Sequence, residues 1–233
     1  AAARQARDHY IDLVRLIDGG DADAHLSIRP THLGLDISRA VALDNLTKVV
    51  AAADDRDVFV WLDMEDSGYT DSTIALYNAL FDEHANVGVA IQAALKRSPG
   101  DIRDLVDGGA HVRLVTGAYS EPAAVAVQGR EAVRDAFRDC LDILMDAEPW
   151  FAVGTHDEVL VTAVQERMAD QGRDDVMFQF MMGVTPGLQR AVAADQDVGQ
   201  YVPYGTAWLP YLRRRLRARR RRAWADLRDR LGR

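Results

Sequence analysis

The sequence predicts an α/β protein: a (β/α)8, TIM-like barrel that lacks its first strand in this chain and forms a single domain over residues 1–233. Three observations carry that prediction. Seven short apolar runs alternate with longer amphipathic stretches, the pattern of βαβ units around a parallel sheet. No shift in composition marks a linker between domains. Polar residues gather at the C-terminal ends of the apolar runs, the end at which barrel sites are built.

The elements follow in order. Residues 4–18 have helical spacing and precede every visible strand, so the eighth strand is expected upstream of them. Strands are predicted at 25–29, 58–64, 87–92, 111–115, 150–153, 176–181 and 200–202, each four to seven residues or slightly shorter. Helices are predicted at 38–53, 70–83, 102–108, 129–147, 157–171 and 185–194, and an arginine-rich helix at 207–232. A doubly wound sheet is the competing topology. It expects a glycine-rich phosphate loop after the first strand, and none is present.

Composition narrows the function. The 233 residues carry a net charge of -8, with 29 Asp against 7 Glu and 26 Arg against 2 Lys. Such an acidic balance argues against a nucleic-acid partner. The segment 213–222 is the exception, with eight arginines in ten residues. No apolar run is long enough to span a bilayer, and a cytoplasmic location is expected, with peripheral membrane contact left open. The one cysteine, Cys140, lies in an amphipathic helix pattern and reads as a core thiol. The six histidines are scattered without metal-ligand spacing, so no metal is expected. No G-x-S-x-G elbow occurs.

The candidate site residues sit at the ends of the predicted strands. Arg29 ends the first, Asp63 and Glu65 the second and Gln92 the third. Arg113 and the run Thr116, Gly117, Ala118, Tyr119 end the fourth. Thr155 and His156 follow the fifth, and Tyr201 ends the last. A carboxylate at such a position is costly unless paired. Asp63 therefore partners a cationic substrate or a catalytic arginine, or else makes a structural salt bridge. Arg113 pairs with Asp63 or donates to a cofactor heteroatom, or else is a solvated or structurally paired arginine. Gly117 permits close backbone approach or simply makes a turn. Arg214 and Arg215 are adjacent guanidiniums, which suit a carboxylate bidentately, although a basic run is equally the solvated face of a helix. Tyr211 and Arg215 share a helix face at i,i+4 spacing.

Taken together, the segments L-S-I-R-P-T-H-L-G-L-D, W-L-D-M-E-D-S-G-Y-T, V-G-V-A-I-Q-A, V-R-L-V-T-G-A-Y-S-E-P, T-H-D-E, F-Q-F-M-M-G-V and Y-V-P-Y-G-x-x-W-x-x-Y-L-x-R-R-L resemble the proline dehydrogenase family over most of the chain. The resemblance implies an FAD enzyme that oxidises L-proline to Δ1-pyrroline-5-carboxylate by hydride transfer to flavin N5. It further implies a small-molecule substrate, proline, and a downstream electron acceptor such as a quinone. By the same resemblance, Asp63 and Arg113 are the catalytic pair. Met64, Gln92, Arg113, Val115, Thr116, Gly117, Ala118, Thr155 and His156 would contact the flavin. Arg29, Tyr119, Met181, Tyr201, Arg214 and Arg215 would hold the substrate. This chain departs from the family pattern at Arg29 and Thr116, where lysines are expected, and at Ala94, where a tyrosine is expected. It also departs at Val133-Arg134 in place of Thr-Asp, and at Ala218 in place of glutamate.

Overall fold

The computed structural model describes residues 1–205. Ala1–Gln200 form one compact unit, and Tyr201 opens a second. Seven strands make one sheet in chain order: β1 (Leu26–Ile28), β2 (Val60–Leu62), β3 (Val87–Gln92), β4 (His111–Val115), β5 (Phe151–Gly154), β6 (Val176–Met181) and β7 (Val198–Tyr201). From β1 to β6 every neighbour is parallel. Between β6 and β7 the Phe178 N–H donates to the Asp197 carbonyl at 2.9 Å. The helices are α1 (Ala2–Asp18), α2 (Arg39–Asp54), α3 (Thr70–Phe81), α4 (Ser98–Asp107), α5 (Arg130–Met145), α6 (Glu158–Gln171) and α7 (Pro186–Val192).

The boundaries of β3, β4 and β6 match the sequence prediction, and the others differ at their ends. β2 is shorter than predicted. β7 begins two residues earlier than predicted. Helix α4 starts at Ser98 because Pro99 falls in its first turn, where a missing N–H costs nothing. The predicted 207–232 helix lies outside the described residues.

β2 and β3 are buried throughout, which is why they read as near-continuous apolar runs, whereas β6 alternates buried and half-buried residues and β7 has none buried. One face packs on the helices. Ile28, Leu62, Val89, Val112, Leu114, Val153 and Phe178 are all in the buried core there. The other face points inward and alternates in size. At one level Trp61 pairs with Gly88, and at the next Arg113 pairs with Ala90 on one side and Ala152 on the other. Gly88 is required by Trp61, since a Cβ there would stand 2.6 Å from the indole Cζ3. A tilted aromatic cluster of His25, Phe59, Trp61, His111 and Trp150 closes the N-terminal end of the strands. Trp61 Nε1 donates to His25 Nδ1 at 3.2 Å, and His111 Nδ1 is 3.0 Å from the Trp150 carbonyl. Burial lowers the pKa of both imidazoles.

The sheet is strongly curled. Five strand spacings would separate β1 from β6 by about 24 Å if the sheet were flat. Yet Ser27 on β1 and Gln179 on β6 both bond the Arg113 guanidinium, at 3.1 and 3.3 Å. Helix ends are fastened in conventional ways. Ser38 accepts from Val41 N–H at the start of α2, and Asp157 accepts from Val159 N–H at the start of α6. The C-terminal carbonyls of α5 are met by Arg173, which donates to the Leu144, Met145, Ala147 and Pro149 carbonyls at 2.6–2.9 Å. Cys140 lies in the core, and burial pushes its thiol pKa up to about 12.

Candidate active site

Arg113 is the centre of the inward face. The sequence reading placed it at the end of its strand; it is instead the third of the five residues of β4, directly over the Trp61 ring at 5.1 Å. Its guanidinium forms an ion pair and hydrogen bond with Asp63, which follows β2. Ser27 Oγ bridges the two, donating to Asp63 Oδ1 at 2.7 Å and accepting from Arg113 Nη2 at 3.1 Å. Gln179 Oε1 accepts from Nη1 at 3.3 Å. These bonds engage Nη1 and Nη2, while the Nε edge makes no hydrogen bond among the described residues. The Arg113 side chain is 6% exposed and Asp63 15%. A buried cation at this depth is tolerable only because it is paired and bonded on several sides.

Above this layer lies the C-terminal mouth. Glu65 is buried and accepts from Thr31 twice, from the N–H at 3.1 Å and the hydroxyl at 2.8 Å. Gln92 spans two loops, its Nε2 donating to the Glu65 carbonyl at 2.8 Å and its Oε1 accepting from Ala118 N–H at 3.2 Å. Gly117 has φ +118°, a left-handed value that favours glycine, and a Cβ there would meet Ala94 Cβ at 3.2 Å. His156 Nδ1 is 2.9 Å from Thr185 Oγ1, while Met181 N–H donates to Nε2 at 3.3 Å. That second bond requires an unprotonated Nε2, so the proton sits on Nδ1. Thr155 is buried, and its hydroxyl accepts from Asp157 N–H at 3.2 Å.

The mouth carries its own electrostatics. Tyr10 on α1 is 3.0 Å from His32 Nδ1. Its phenol pKa rises to about 12, chiefly through burial, with the Asp63 and Glu65 charges adding and Arg29 opposing. Burial and the Arg29 charge lower His32. Tyr119 is 40% exposed, and burial of the rest of the ring raises its phenol pKa while the Arg29, Glu65 and Asp63 charges all reach it.

Most of the candidates from the sequence thus converge. Asp63 meets Arg113, Gln92 meets Ala118, His156 meets Met181 N–H, and Tyr119 lies within electrostatic reach of Arg29. Met64 is different, because its side chain belongs to the buried core. Tyr201 belongs to the second unit, and Arg214 and Arg215 lie outside the described residues. Ser27 and Gln179 are participants that the strand-end search passed over. Their signal was a polar residue within an apolar strand, in L-S-I and F-Q-F. Arg134, one of the departures from the family pattern, grips the Asp157 carboxylate with two bonds of 2.9 and 2.8 Å beside Thr155 and His156.

The fold and this mouth define a parallel (β/α) barrel with a polar C-terminal end above a buried Arg–Asp pair. A family model described as proline dehydrogenase matches residues 1–218. Proline dehydrogenase 1 of Bacillus subtilis (strain 168) is 32% identical over 220 residues, covering 93% of this chain and 73% of that one. The proline dehydrogenase of Deinococcus radiodurans is 32% identical over 216 residues, covering 88% of this chain and 70% of its own. Among solved structures, proline utilization A from Bdellovibrio bacteriovorus superposes with a TM-score of 0.82 at 22% identity. That match covers 92% of this chain and 28% of that much longer one, so it speaks for the barrel alone. The chain belongs to the proline dehydrogenase family.

Proposed function

We propose that this chain oxidises L-proline to Δ1-pyrroline-5-carboxylate with FAD as its cofactor. The observation that carries the proposal is the buried Arg113–Asp63 pair beneath a polar mouth, in a chain of this family. The residues present fit a flavin on chemical grounds. Arg113 offers its Nε edge from a water-poor position. The left-handed Gly117 leaves a stretch of backbone without a side chain beside Gln92. When bound, FAD supplies the hydride acceptor, and the protein orients and tunes it.

The roles of the chain's own residues follow from their positions. Asp63, bridged through Ser27, holds Arg113 in one orientation, so that its cationic edge faces the same place in every turnover. Gln92 fixes the Val115 to Ala118 backbone against Glu65. Thr155 and His156 are the proposed cofactor contacts on the β5 side. Arg29 supplies a cation at the mouth, and Tyr119 and Met181 are the proposed walls for the substrate ring. Assignment of the substrate carboxylate to Arg214 and Arg215, and of ring contact to Tyr201, rests on the sequence motif. Positioning of this kind can remove several kcal/mol from a barrier.

A quinone acceptor and peripheral membrane contact complete the proposal. No helix among the described residues is long and apolar enough to cross a membrane. The test is spectroscopic. The purified full-length protein, supplied with FAD, is expected to show a bound-flavin spectrum that bleaches when proline is added without oxygen. A protein that takes up no flavin overturns the proposal, and so does a flavoprotein that proline leaves oxidised.

A further inference from the structure

The loop between β4 and α5, which carries Tyr119, is held at both ends and spans the mouth between. On its upstream side, Ala94 N–H donates to the Thr116 carbonyl at 3.1 Å and Ala118 N–H donates to Gln92. Downstream, Leu95 and Ala126 form an antiparallel bridge, and Lys96 Nζ donates to the Ala123 carbonyl at 2.6 Å. Between these anchors the Glu121 carbonyl accepts from Gln128 Nε2 at 3.2 Å within the loop, and the Glu121 side chain makes the attachment that crosses to the next connection. Glu121 turns both carboxylate oxygens onto Ser67, accepting from its N–H at 2.7 Å and from its hydroxyl at 2.6 Å. Ser67 follows Asp63 and Glu65 on the β2–α3 connection. Pro122 then favours an extended backbone at Glu121. Only Tyr119 and Ser120 lie between the Ala118 and Glu121 attachments, and both are exposed.

We propose that Glu121 is a positioning residue: its clasp on Ser67 sets Tyr119 across the barrel mouth and thereby governs substrate affinity. The inference rests on the proposed proline oxidation. The physical reason is entropic. An exposed tyrosine on a tether two residues long has few orientations, and releasing one end multiplies them. The binding-competent fraction then falls, and apparent affinity falls with it. The carboxylate touches neither the Arg113 layer nor the Thr155–His156 side of the mouth, so flavin binding is independent of it.

The experiment uses the full-length flavoprotein and the variants Glu121→Ala, Ser67→Ala and Glu121→Gln. Loss of a charge-assisted pair of hydrogen bonds is expected to raise KM for proline about tenfold, with kcat changed less than about twofold. Flavin content stays at the wild-type level. Glu121→Gln keeps an acceptor for the Ser67 N–H and is expected to recover part of the loss. In a Tyr119→Ala background, Glu121→Ala is expected to add nothing further to KM, because both changes act through the same ring. Additive effects in that cycle, or an unchanged KM in Glu121→Ala, overturn the proposal. Hydrogen exchange separates this failure from failure of the proline reading. Whatever the wild type oxidises, the amides of residues 119–121 must exchange faster in Glu121→Ala, while the Ala118 amide on Gln92 keeps its protection, and unchanged exchange at 119–121 overturns the clasp itself.

Discussion

Removing Asp63 tests whether the centre of the barrel is organised as described. Asp63→Ala leaves the Arg113 guanidinium, 6% exposed, without its counter-charge. Breaking a buried ion pair from one side costs about 3–5 kcal/mol. Ser27 Oγ, the Gln179 amide oxygen and the Trp61 ring remain against the guanidinium. They place the expected cost at the low end, about 3 kcal/mol. Asp63→Asn keeps an acceptor oxygen of the same shape and loses only the charge, for about 1–2 kcal/mol. Urea unfolding followed by tryptophan emission reads the difference, since Trp61 lies under the Arg113 guanidinium and Trp150 packs edge-on against Trp61. With a slope of about 2 kcal/mol per molar, the midpoint of Asp63→Ala falls by roughly 1.5 M. Replacing both partners, Asp63→Leu with Arg113→Met, is expected to recover most of that stability, because no uncompensated charge then remains. The reasoning is refuted if Asp63→Ala unfolds within about 0.5 kcal/mol of wild type, or if the double replacement is the least stable of the set.

Two further outcomes follow from packing and charge. Gly88→Ala places a Cβ 2.6 Å from the Trp61 ring with backbone on its other side, so it is expected to cost about 1–3 kcal/mol and shift the tryptophan emission, whereas unchanged emission and midpoint would refute the packing of that layer. Burial works to raise the Asp157 carboxyl, but the bonds from Arg134 outweigh it and leave the pKa below the usual carboxylate value. A depressed folded-state pKa contributes stability that is present above the unfolded value near 4 and is lost as pH falls through the folded one. Arg134→Met is therefore expected to cost about 1 kcal/mol at pH 7 and progressively less as the pH falls below about 4, and a pH-independent cost would refute that coupling.

Much of the fold was legible because strand burial leaves a direct trace. V-G-V-A-I-Q, H-V-R-L-V and V-M-F-Q-F-M gave the bounds of β3, β4 and β6, since strands with no exposed residue are apolar at most positions. The ends of β2 and β7 were less legible, because pairing stops where geometry stops it: Asp63 N–H still donates to the Ile28 carbonyl at 2.8 Å beyond the end of β2, and Met64 keeps an apolar side chain in the core. The mouth was legible as a set of polar strand ends. Its depth was not. Arg113 looked like an end residue because a charge inside an apolar strand has no local explanation.

The sequence by itself determined the alternation of strands and helices, the side of the sheet on which polar chemistry gathers, and the family resemblance that the comparisons established. Those properties are written in local period and motif. The tertiary structure decided which of the polar residues meet. Curling the sheet brings Ser27 on β1 and Gln179 on β6 to one guanidinium on β4, across a separation in sequence that no local pattern encodes. It also turned Glu121, an ordinary loop acid in the sequence, into a clasp on Ser67. Partners of this kind are selected by the curl of the sheet, because a buried charge or a loop carboxylate is stabilised by whatever the fold brings within hydrogen-bond reach.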